Sequence, residues 1–244
     1  VLDIEELSSA LKSAGSNNKQ GEVYLTDPAV KVLQKLNGAT VTLPLEESDQ
    51  IVGVNDLQEL AYANLLMRHQ ILDDHMSSGV IIDDPSSTFI ETDVEIAPGT
   101  RVMPFSVIRS SVKIGADCVV GPFAHLRAGT VLDDQAQIGN FVESKNAELG
   151  QGAKAKHLTY LGDVCVGSKA NIGCGTITAN YDGKNKHKTT IGAHAFVGSG
   201  AILVAPVNVG DDAVVGAGAV VTANNDVQPG QTVVGVPAKK INHK

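Results

Sequence analysis

The sequence predicts a mainly β fold: a left-handed parallel β-helix of hexapeptide repeats, preceded by a connector helix and a small α/β fragment. From about residue 80 onward an aliphatic residue recurs every six positions, and Gly or Ala often follows it. Aromatic residues make up 4% of the 244 residues, Trp is absent and Gly occurs 25 times, which suits a narrow solenoid core. The frame consists of Ile96, Val102, Ile108, Ile114, Val120, Leu126, Leu132, Ile138, Ile191, Val197, Leu203, Val209, Val215 and Val221.

A period of six matches neither the 3.6 of a helix nor the 2 of a strand, whereas a hexapeptide β-helix explains it. Each hexad supplies one short strand and one corner, so three hexads make a coil of roughly 18 residues. Coils of this type wind left-handed, against the usual right-handed crossover preference. The frame slips between Ile138 and Val166, and a polar insert, Ala179–Lys188, breaks it again. Loops that leave a regular solenoid in this way usually carry functional residues or contact a neighbouring subunit.

Residues 1–53 are expected to form the small α/β piece. The spacing from Leu2 to Ala14 predicts a helix, and Asp27-Pro28 opens a second helix that runs through Leu36. Ala39 to Leu45 alternates like a strand. This piece is too short to bury a hydrophobic core by itself, so we expect it to pack against another part of a protein.

Residues 54–79 are expected to form the connector helix, and residues 80–244 the β-helix domain. Asn55-Asp56 supplies the residue that caps the start of the helix, and Ser77-Ser78-Gly79 ends it. Its apolar residues populate one broad face. A single helix between unlike segments is most simply a connector.

Charge and cysteine usage narrow the function classes. The net charge of −8 argues against a general nucleic-acid binder, although a few local cations can still hold a small anion. No apolar run reaches the roughly 20 residues of a membrane span, and no signal peptide is evident. The three cysteines, Cys118, Cys165 and Cys174, form no CxxC pair, which favours a reduced, cytoplasmic setting.

The reactive side chains concentrate where the repeat is interrupted. Arg127 and Lys145 are eighteen residues apart, so they should stack on adjacent coils, where two cations can clamp a phosphate. The alternative is a pair of solvated surface cations. The whole cluster comprises Arg127, Glu143, Lys145, His157, Tyr160, Asn171 and Lys186.

His157 is a candidate general base, because a neutral imidazole can take a proton from an attacking amine near pH 7. A carboxylate such as Glu143 could hold its ring and support the imidazolium. The alternative is a structural histidine satisfied by the backbone. A zinc site would need imidazoles that converge from neighbouring coils, and no third histidine matches the spacing of His187 and His194.

Four segments resemble the bifunctional N-acetylglucosamine-1-phosphate uridylyltransferase/glucosamine-1-phosphate acetyltransferase family. They occur in the family's order and spacing. The resemblance covers roughly residues 17–222, since two earlier segments resemble the end of the family's uridylyltransferase domain. The six segments are Gly121–Gly129, Gly139–Lys145, His157–Asp163, Asn171–Gly183, Gly21–Asp27 and Gly53–Asp56.

The resemblance implies that acetyl-CoA acetylates the amine of glucosamine 1-phosphate, which feeds UDP-N-acetylglucosamine and cell-wall synthesis. It implies that His157 is the base and that Glu143 orients it. Arg127, Lys145 and Lys186 would hold the sugar phosphate, with Tyr160 and Asn171 beside them. Cys174, Asn180, Tyr181, Ser199 and Ala217 would contact CoA, several of them through the backbone. It also implies a cytoplasmic homotrimer with sites between subunits.

The sequence departs from the family in several places. Cys174 stands where the family usually has Ala, and Gly235 stands where it has a late basic residue on the CoA phosphate, a contact that Lys239 or Lys240 would take over. Asn55 matches a Mg²⁺ ligand of the uridylyltransferase, but its partner carboxylate and the Gly-rich nucleotide loop are absent from this chain. Uridylylation is therefore expected only of a longer parent.

Two other functions stay open at this point. The ending Gly235–Lys240 resembles the closing turn of other hexapeptide acyltransferases, which allows a different amino sugar as acceptor. A non-catalytic trimeric scaffold that retains ligand binding is the second alternative, because a truncated N-terminal piece is also consistent with a degenerate chain.

Overall fold

A computed structural model describes residues 4–16, 21–35 and 52–241 of the chain. The chain divides into two units, Val1–Val52 and Gly53–Lys244. In the first unit, α1 (Ile4–Lys12) and α2 (Thr26–Lys35) lie where the spacing predicts helices. The two helices contact each other, and Lys35 Nζ lies 3.3 Å from Glu6 Oε2. The strand predicted at 39–45 lies outside the described residues.

The connector helix α3 spans Leu57–Ser77. Asp56 caps its start, because its Oδ1 accepts hydrogen bonds from the backbone N–H groups of Gln58 at 2.9 Å and Glu59 at 2.8 Å. The chain leaves the helix at Gly79, whose φ of +96° suits glycine. In the described part of the chain no helix is both long and apolar enough to span a membrane.

Residues 81–240 form the predicted left-handed parallel β-helix, and this prediction is confirmed. Its strands, in chain order, are β1 (Ile81–Ile82), β2 (Phe89–Ile90), β3 (Glu95–Ile96), β4 (Arg101–Val102), β5 (Val107–Ile108), β6 (Lys113–Ile114), β7 (Val119–Val120), β8 (His125–Leu126), β9 (Val131–Leu132), β10 (Gln137–Asn140), β11 (Glu143–Leu149), β12 (Lys154–His157), β13 (Tyr160–Val166), β14 (Asn171–Ile172), β15 (Ile177–Ala179), β16 (Thr189–Ile191), β17 (Phe196–Val197), β18 (Ile202–Val204), β19 (Val207–Val209), β20 (Val214–Val215), β21 (Val220–Val221), β22 (Thr232–Val234) and β23 (Lys239–Lys240).

The strands line up on three faces of a prism. Face 1 carries β1, β4, β7, β10, β12, β14, β17, β20 and β22, and β23 closes it antiparallel to β22. Face 2 carries β2, β5, β8, the first half of β11, the first half of β13, β15, β18 and β21. Face 3 carries β3, β6, β9, the second halves of β11 and β13, β16 and β19. The corner between faces 1 and 2 is the 1/2 edge, and the corner between faces 2 and 3 is the 2/3 edge.

The core fills the inside of the prism with aliphatic side chains. All of the frame residues named above are buried, with exposed fractions between 0% and 9%. The residue before each of them points outward, as in β4, where Arg101 is exposed and Val102 is fully buried. The two-residue strands with one side chain in and one out are therefore the direct consequence of the period of six.

The frame slip predicted between Ile138 and Val166 is the loss of one residue per coil. His125 pairs with Glu143, eighteen residues on, but Glu143 pairs with Tyr160, which is only seventeen residues on. At the 2/3 edge of both coils the strand continues around the corner, which makes β11 and β13 seven residues long. In the next coil Asn171 pairs with Phe196, 25 residues on, because the polar insert leaves at the same edge.

Candidate functional site

Three cations converge at the 2/3 edge. Arg127 and Lys145 occupy the same position in adjacent coils, and the backbone N–H of Arg127 donates to the carbonyl of Ser144 at 2.8 Å. Lys186 reaches the same place from the insert. The adjacent amino group of Lys186, followed by the charge of Arg127, lowers the pKa of Lys145. An anion that binds between two such amines favours the charged form of both, so this cluster is a suitable anion-binding site.

Glu143 lies on face 2 beside the cations. Its Oε1 accepts a hydrogen bond from Arg127 Nη1 at 2.7 Å, and both side chains are about 40% exposed. The sequence predicts that Glu143 holds the ring of His157. In the described structure the hydrogen-bond partner of its carboxylate is Arg127 instead, so the predicted role of Glu143 at the histidine stays a prediction.

His157 ends β12 at the 1/2 edge, with its side chain exposed. Its Nδ1 lies 2.7 Å from Oδ1 of Asn140, which is its partner in the neighbouring strand β10. When the amide oxygen accepts this bond, Nδ1 carries the hydrogen and the lone pair of Nε2 is free to take a proton. Sequence reasoning missed Asn140, although its spacing of seventeen from His157 is the spacing of these coils.

Asp163 lies near both the cations and Asn180. Sequence reasoning did not identify it as a site residue. Its Oδ1 accepts from Asn146 Nδ2 at 3.0 Å, and its Oδ2 accepts from Asn180 Nδ2. Partial burial raises the pKa of Asp163, but the bonds from Asn146 and Asn180 and the charges of Lys186 and Lys145 outweigh it, so the net shift is downward. The carboxylate is thus held ionised among amides and amines.

The insert is held by a turn of its own. The Asp182 carboxylate accepts hydrogen bonds from the backbone N–H groups of Lys184 and Asn185, both at 2.7 Å, and its Oδ2 lies 2.7 Å from His187 Nε2. These contacts, led by the Asn185 N–H, lower the pKa of Asp182 to about 2. The backbones of Tyr181 and Lys186 also bridge. The loop therefore presents Lys186 from a closed turn.

Tyr160 and Asn171 lie on different faces. Tyr160 follows Glu143 on face 2, and its hydroxyl lies over Gly162, where a Cβ would meet Oη at 2.6 Å. Asn171 lies on face 1, paired with Lys154 and Phe196. Within one chain the structure therefore brings together Arg127, Glu143, Lys145 and Lys186 at the 2/3 edge, with Tyr160 beside them on face 2, and leaves Asn171 on another face.

The residues expected on the CoA side stack along the 1/2 edge. The carbonyls of Cys174 and Ser199 accept from the backbone N–H groups of Gly200 at 2.7 Å and Gly218 at 2.8 Å, so Cys174, Ser199 and Ala217 follow one another coil by coil. Glycine follows each of them, at Gly175, Gly200 and Gly218, all with positive φ. In earlier coils the equivalent corner positions are Phe105, Phe123 and Phe141, whose rings stack. The backbone of this edge is thus bare only in its C-terminal half.

Three residues expected on the CoA side remain. Asn180 and Tyr181 lie in the insert, and Lys239 lies near the end of the chain. Asn180 is buried and Tyr181 is exposed, its hydroxyl donating to the Gly183 carbonyl at 2.7 Å. Lys239 is exposed in β23, which pairs it with Val234.

Asn55, which the resemblance matches to a Mg²⁺ ligand of a complete uridylyltransferase domain, lies just before α3, and its role as a ligand stays a prediction. Its backbone N–H donates to Glu59 Oε2 at 2.6 Å at the start of α3. Among residues 4–16, 21–35 and 52–241 no three His, Cys, Asp or Glu side chains are grouped so that they could hold a metal ion.

Comparison with known proteins connects this geometry to a family. Residues 93–128 match the model of the bacterial transferase hexapeptide (six repeats), and residues 188–223 match the hexapeptide repeat of succinyl-transferase. The bifunctional protein GlmU of Pelobacter propionicus is 44% identical over 257 aligned residues, which cover 91% of this chain and 55% of that protein. GlmU of Streptococcus pyogenes serotype M18 is 42% identical over 87% of this chain and 53% of its own length. The chain spans about half the length of these curated relatives.

Among solved structures, LpxA from Acinetobacter baumannii is 17% identical, with a TM-score of 0.46, over 66% of this chain and 73% of that one. This likeness is too distant to bear on function.

Proposed function

We propose that this chain, which belongs to the family of the bifunctional GlmU proteins, transfers the acetyl group of acetyl-CoA to the amine of glucosamine 1-phosphate. The product, N-acetylglucosamine 1-phosphate, would feed UDP-N-acetylglucosamine and cell-wall synthesis. The observation that carries the proposal is the convergence of Arg127, Lys145 and Lys186 on one edge, one face away from an exposed histidine whose ring is held by Asn140.

The three cations would hold the sugar phosphate. Arg127 is braced by Glu143, so its remaining N–H groups are fixed in direction before the substrate arrives. Lys145 and Lys186 repel each other while both are charged, and a phosphate dianion between them relieves this repulsion. Unphosphorylated glucosamine offers no such group, so the cluster would select the phosphorylated sugar.

His157 would act as the general base. The amine nitrogen attacks the thioester carbonyl carbon and passes a proton to Nε2, and the tetrahedral oxyanion then collapses. The C–S bond breaks, and CoA leaves as the thiolate that recovers the proton. Direct attack within a ternary complex needs no acyl-enzyme. The reaction also needs an N–H group that donates a hydrogen bond to the oxyanion. We propose the side-chain amide of Asn180 for this role.

CoA would lie along the bare half of the 1/2 edge, against Cys174, Ser199 and Ala217. The support for this path is that no side chain protrudes at Gly175, Gly200 and Gly218, so a thin, extended molecule can approach the backbone there. Asn180 and Tyr181 would contact the acyl end. Lys239, which is exposed near the end of the chain, would meet the CoA phosphates.

We propose that the active form is a cytoplasmic homotrimer with sites between subunits. Asn171 supports this arrangement, because it lies on face 1 while the cations lie at the far side of face 2. A second copy packed against face 2 could supply the missing side chain. Parallel prisms around a threefold axis would repeat this contact three times and close the assembly.

The test is the release of CoA thiol when the chain is mixed with acetyl-CoA and glucosamine 1-phosphate. Unphosphorylated glucosamine and other amino-sugar phosphates are run in parallel. We expect selective turnover of glucosamine 1-phosphate, and loss of it by about 10²-fold or more in His157→Ala. His69→Ala, at an exposed position of α3, is the control. Turnover of another amino sugar instead would show that the acceptor is a different sugar. A folded trimer that releases no CoA thiol would favour the non-catalytic scaffold.

A further inference from the structure

Asp163 owes its position to the shortened coils. It sits at the 2/3 edge with φ of +47°, directly after Asn146, which has φ of +46° in the preceding coil. Asn and Asp tolerate this left-handed conformation better than other non-glycine residues. Because both coils have seventeen residues, Asn146, Asp163 and Asn180 follow at equal spacing, and Asp163 accepts hydrogen bonds from both amides.

Asp163 contacts two parts of the candidate site at once. On one side it lines a cavity together with Lys186. Burial raises its pKa, but the hydrogen bonds from Asn146 and Asn180, followed by the charges of Lys186 and Lys145, lower it by more. On the other side it accepts a hydrogen bond from the amide of Asn180, the residue directly after β15. Asn180 is buried, so its amide must have a partner, and the carboxylate supplies it.

We propose that Asp163 is a positioning residue: it aims the Asn180 amide at the acyl group and partly offsets the charge of Lys145 and Lys186 until the phosphate binds. This inference rests on the proposed function. Asp163 touches neither substrate in this scheme. It acts through Asn180 on the acyl side and through the two lysines on the phosphate side.

The two roles predict opposite effects when the charge is removed. In Asp163→Asn the amide–carboxylate bond becomes a neutral one, which is roughly half as strong, so Asn180 is aimed less well and kcat falls, by about tenfold. The lysines meanwhile lose a neighbouring negative charge, so the cluster becomes more attractive to phosphate. KM for glucosamine 1-phosphate should therefore stay constant or fall, by up to about threefold.

A matched control exists two coils further on. Asn208 donates to Asp226 from its side chain at 3.0 Å and from its backbone at 2.8 Å, which is the same pairing of residue types across adjacent coils. Asp226 is not among the residues that line the cavity shared by Asp163 and Lys186. Asp226→Asn should leave kcat and KM within about twofold of the wild type, while its effect on the midpoint of thermal unfolding measures the structural cost of such a change.

The coupling to Asn180 is tested by a double-mutant cycle. Asn180→Ala should lower kcat like Asp163→Asn, and the double variant should fall no further, because both changes remove one interaction. An aspartate that only holds the edge together would raise KM, and its effect on kcat would multiply with that of Asn180→Ala. If Asp163→Asn does not fold, Asp163→Glu keeps the charge and displaces it, and kcat should fall while KM is unchanged.

The outcomes separate the two proposals. A folded wild type that does not acetylate glucosamine 1-phosphate overturns the proposed function. An active wild type whose Asp163→Asn variant has the kinetic constants of Asp226→Asn overturns the role of Asp163 alone.

Discussion

Replacing Lys186 by Met tests the cationic cluster most directly. The substitution removes one charge at nearly constant side-chain length, and the insert keeps the Asp182 turn that closes it. A charged hydrogen bond contributes about 1.5–3 kcal/mol, which is a factor of roughly 10 to 150 in affinity. Lys186 is exposed, so solvent screening places the expected increase in KM for glucosamine 1-phosphate near the lower figure, about tenfold.

The same substitution should change the pH dependence of KM. Lys186 is the main cause of the lowered pKa of Lys145, ahead of Arg127. A lysine with a lowered pKa loses its charge at a lower pH, so in the wild type phosphate binding weakens as the pH rises through that value. Without Lys186 the pKa of Lys145 rises toward its ordinary value of roughly 10.4. The alkaline limb of a plot of 1/KM against pH should therefore move to higher pH.

Lys188→Met is the control, because Lys188 lies two residues further along the insert but faces Glu148, with Nζ 4.0 Å from Oε1, and Cys165. Its KM should stay within about twofold of the wild type. The assay is initial-rate CoA release at constant ionic strength between pH 7 and 10. An unchanged KM in Lys186→Met, or an equal change with unphosphorylated glucosamine, would refute the phosphate role of the cluster.

Three further outcomes are expected. Leu161→Ala, at a fully buried core position, should lower the free energy of unfolding by about 2–5 kcal/mol, measured by denaturant titration. Cys174→Ala should leave the rate unchanged, because its carbonyl and not its thiol makes the contact to Gly200; a large loss would show that the thiol matters. The Asp182 carboxyl should titrate near pH 2 by ¹³C NMR, so the turn is fully held above its ordinary pKa of 3.8 and is lost as the pH falls through about 2. A midpoint near 3.8 would contradict the Asn185 and His187 contacts.

The fold could be predicted because one physical requirement repeats in every coil. The inside of the prism is filled mainly by aliphatic side chains, and each frame residue, from Ile96 to Val221, is buried. The cap of α3 at Asp56 follows from an equally local rule. In both cases the residue type and its immediate neighbours decide the outcome, so no long-range contact has to be known.

The site was predictable only where the period holds. Arg127 and Lys145 stack as a spacing of eighteen requires. The partners Asn140 and Asp163 were missed because they follow a spacing of seventeen, and the aliphatic pattern does not show at which corner the residue is lost. The contact of Glu143 with Arg127 is a choice between side-chain rotamers on one face, which no repeat pattern encodes.

The departures from the repeat explain how a uniform solenoid gathers unlike side chains. Two coils lose a residue at the 2/3 edge, and the third gains its insert at that same edge. The losses bring Asn146, Asp163 and Asn180 into one column, and the insert then returns Lys186 to Lys145 instead of leading the chain away. Coil length, as much as side-chain identity, therefore determines this site.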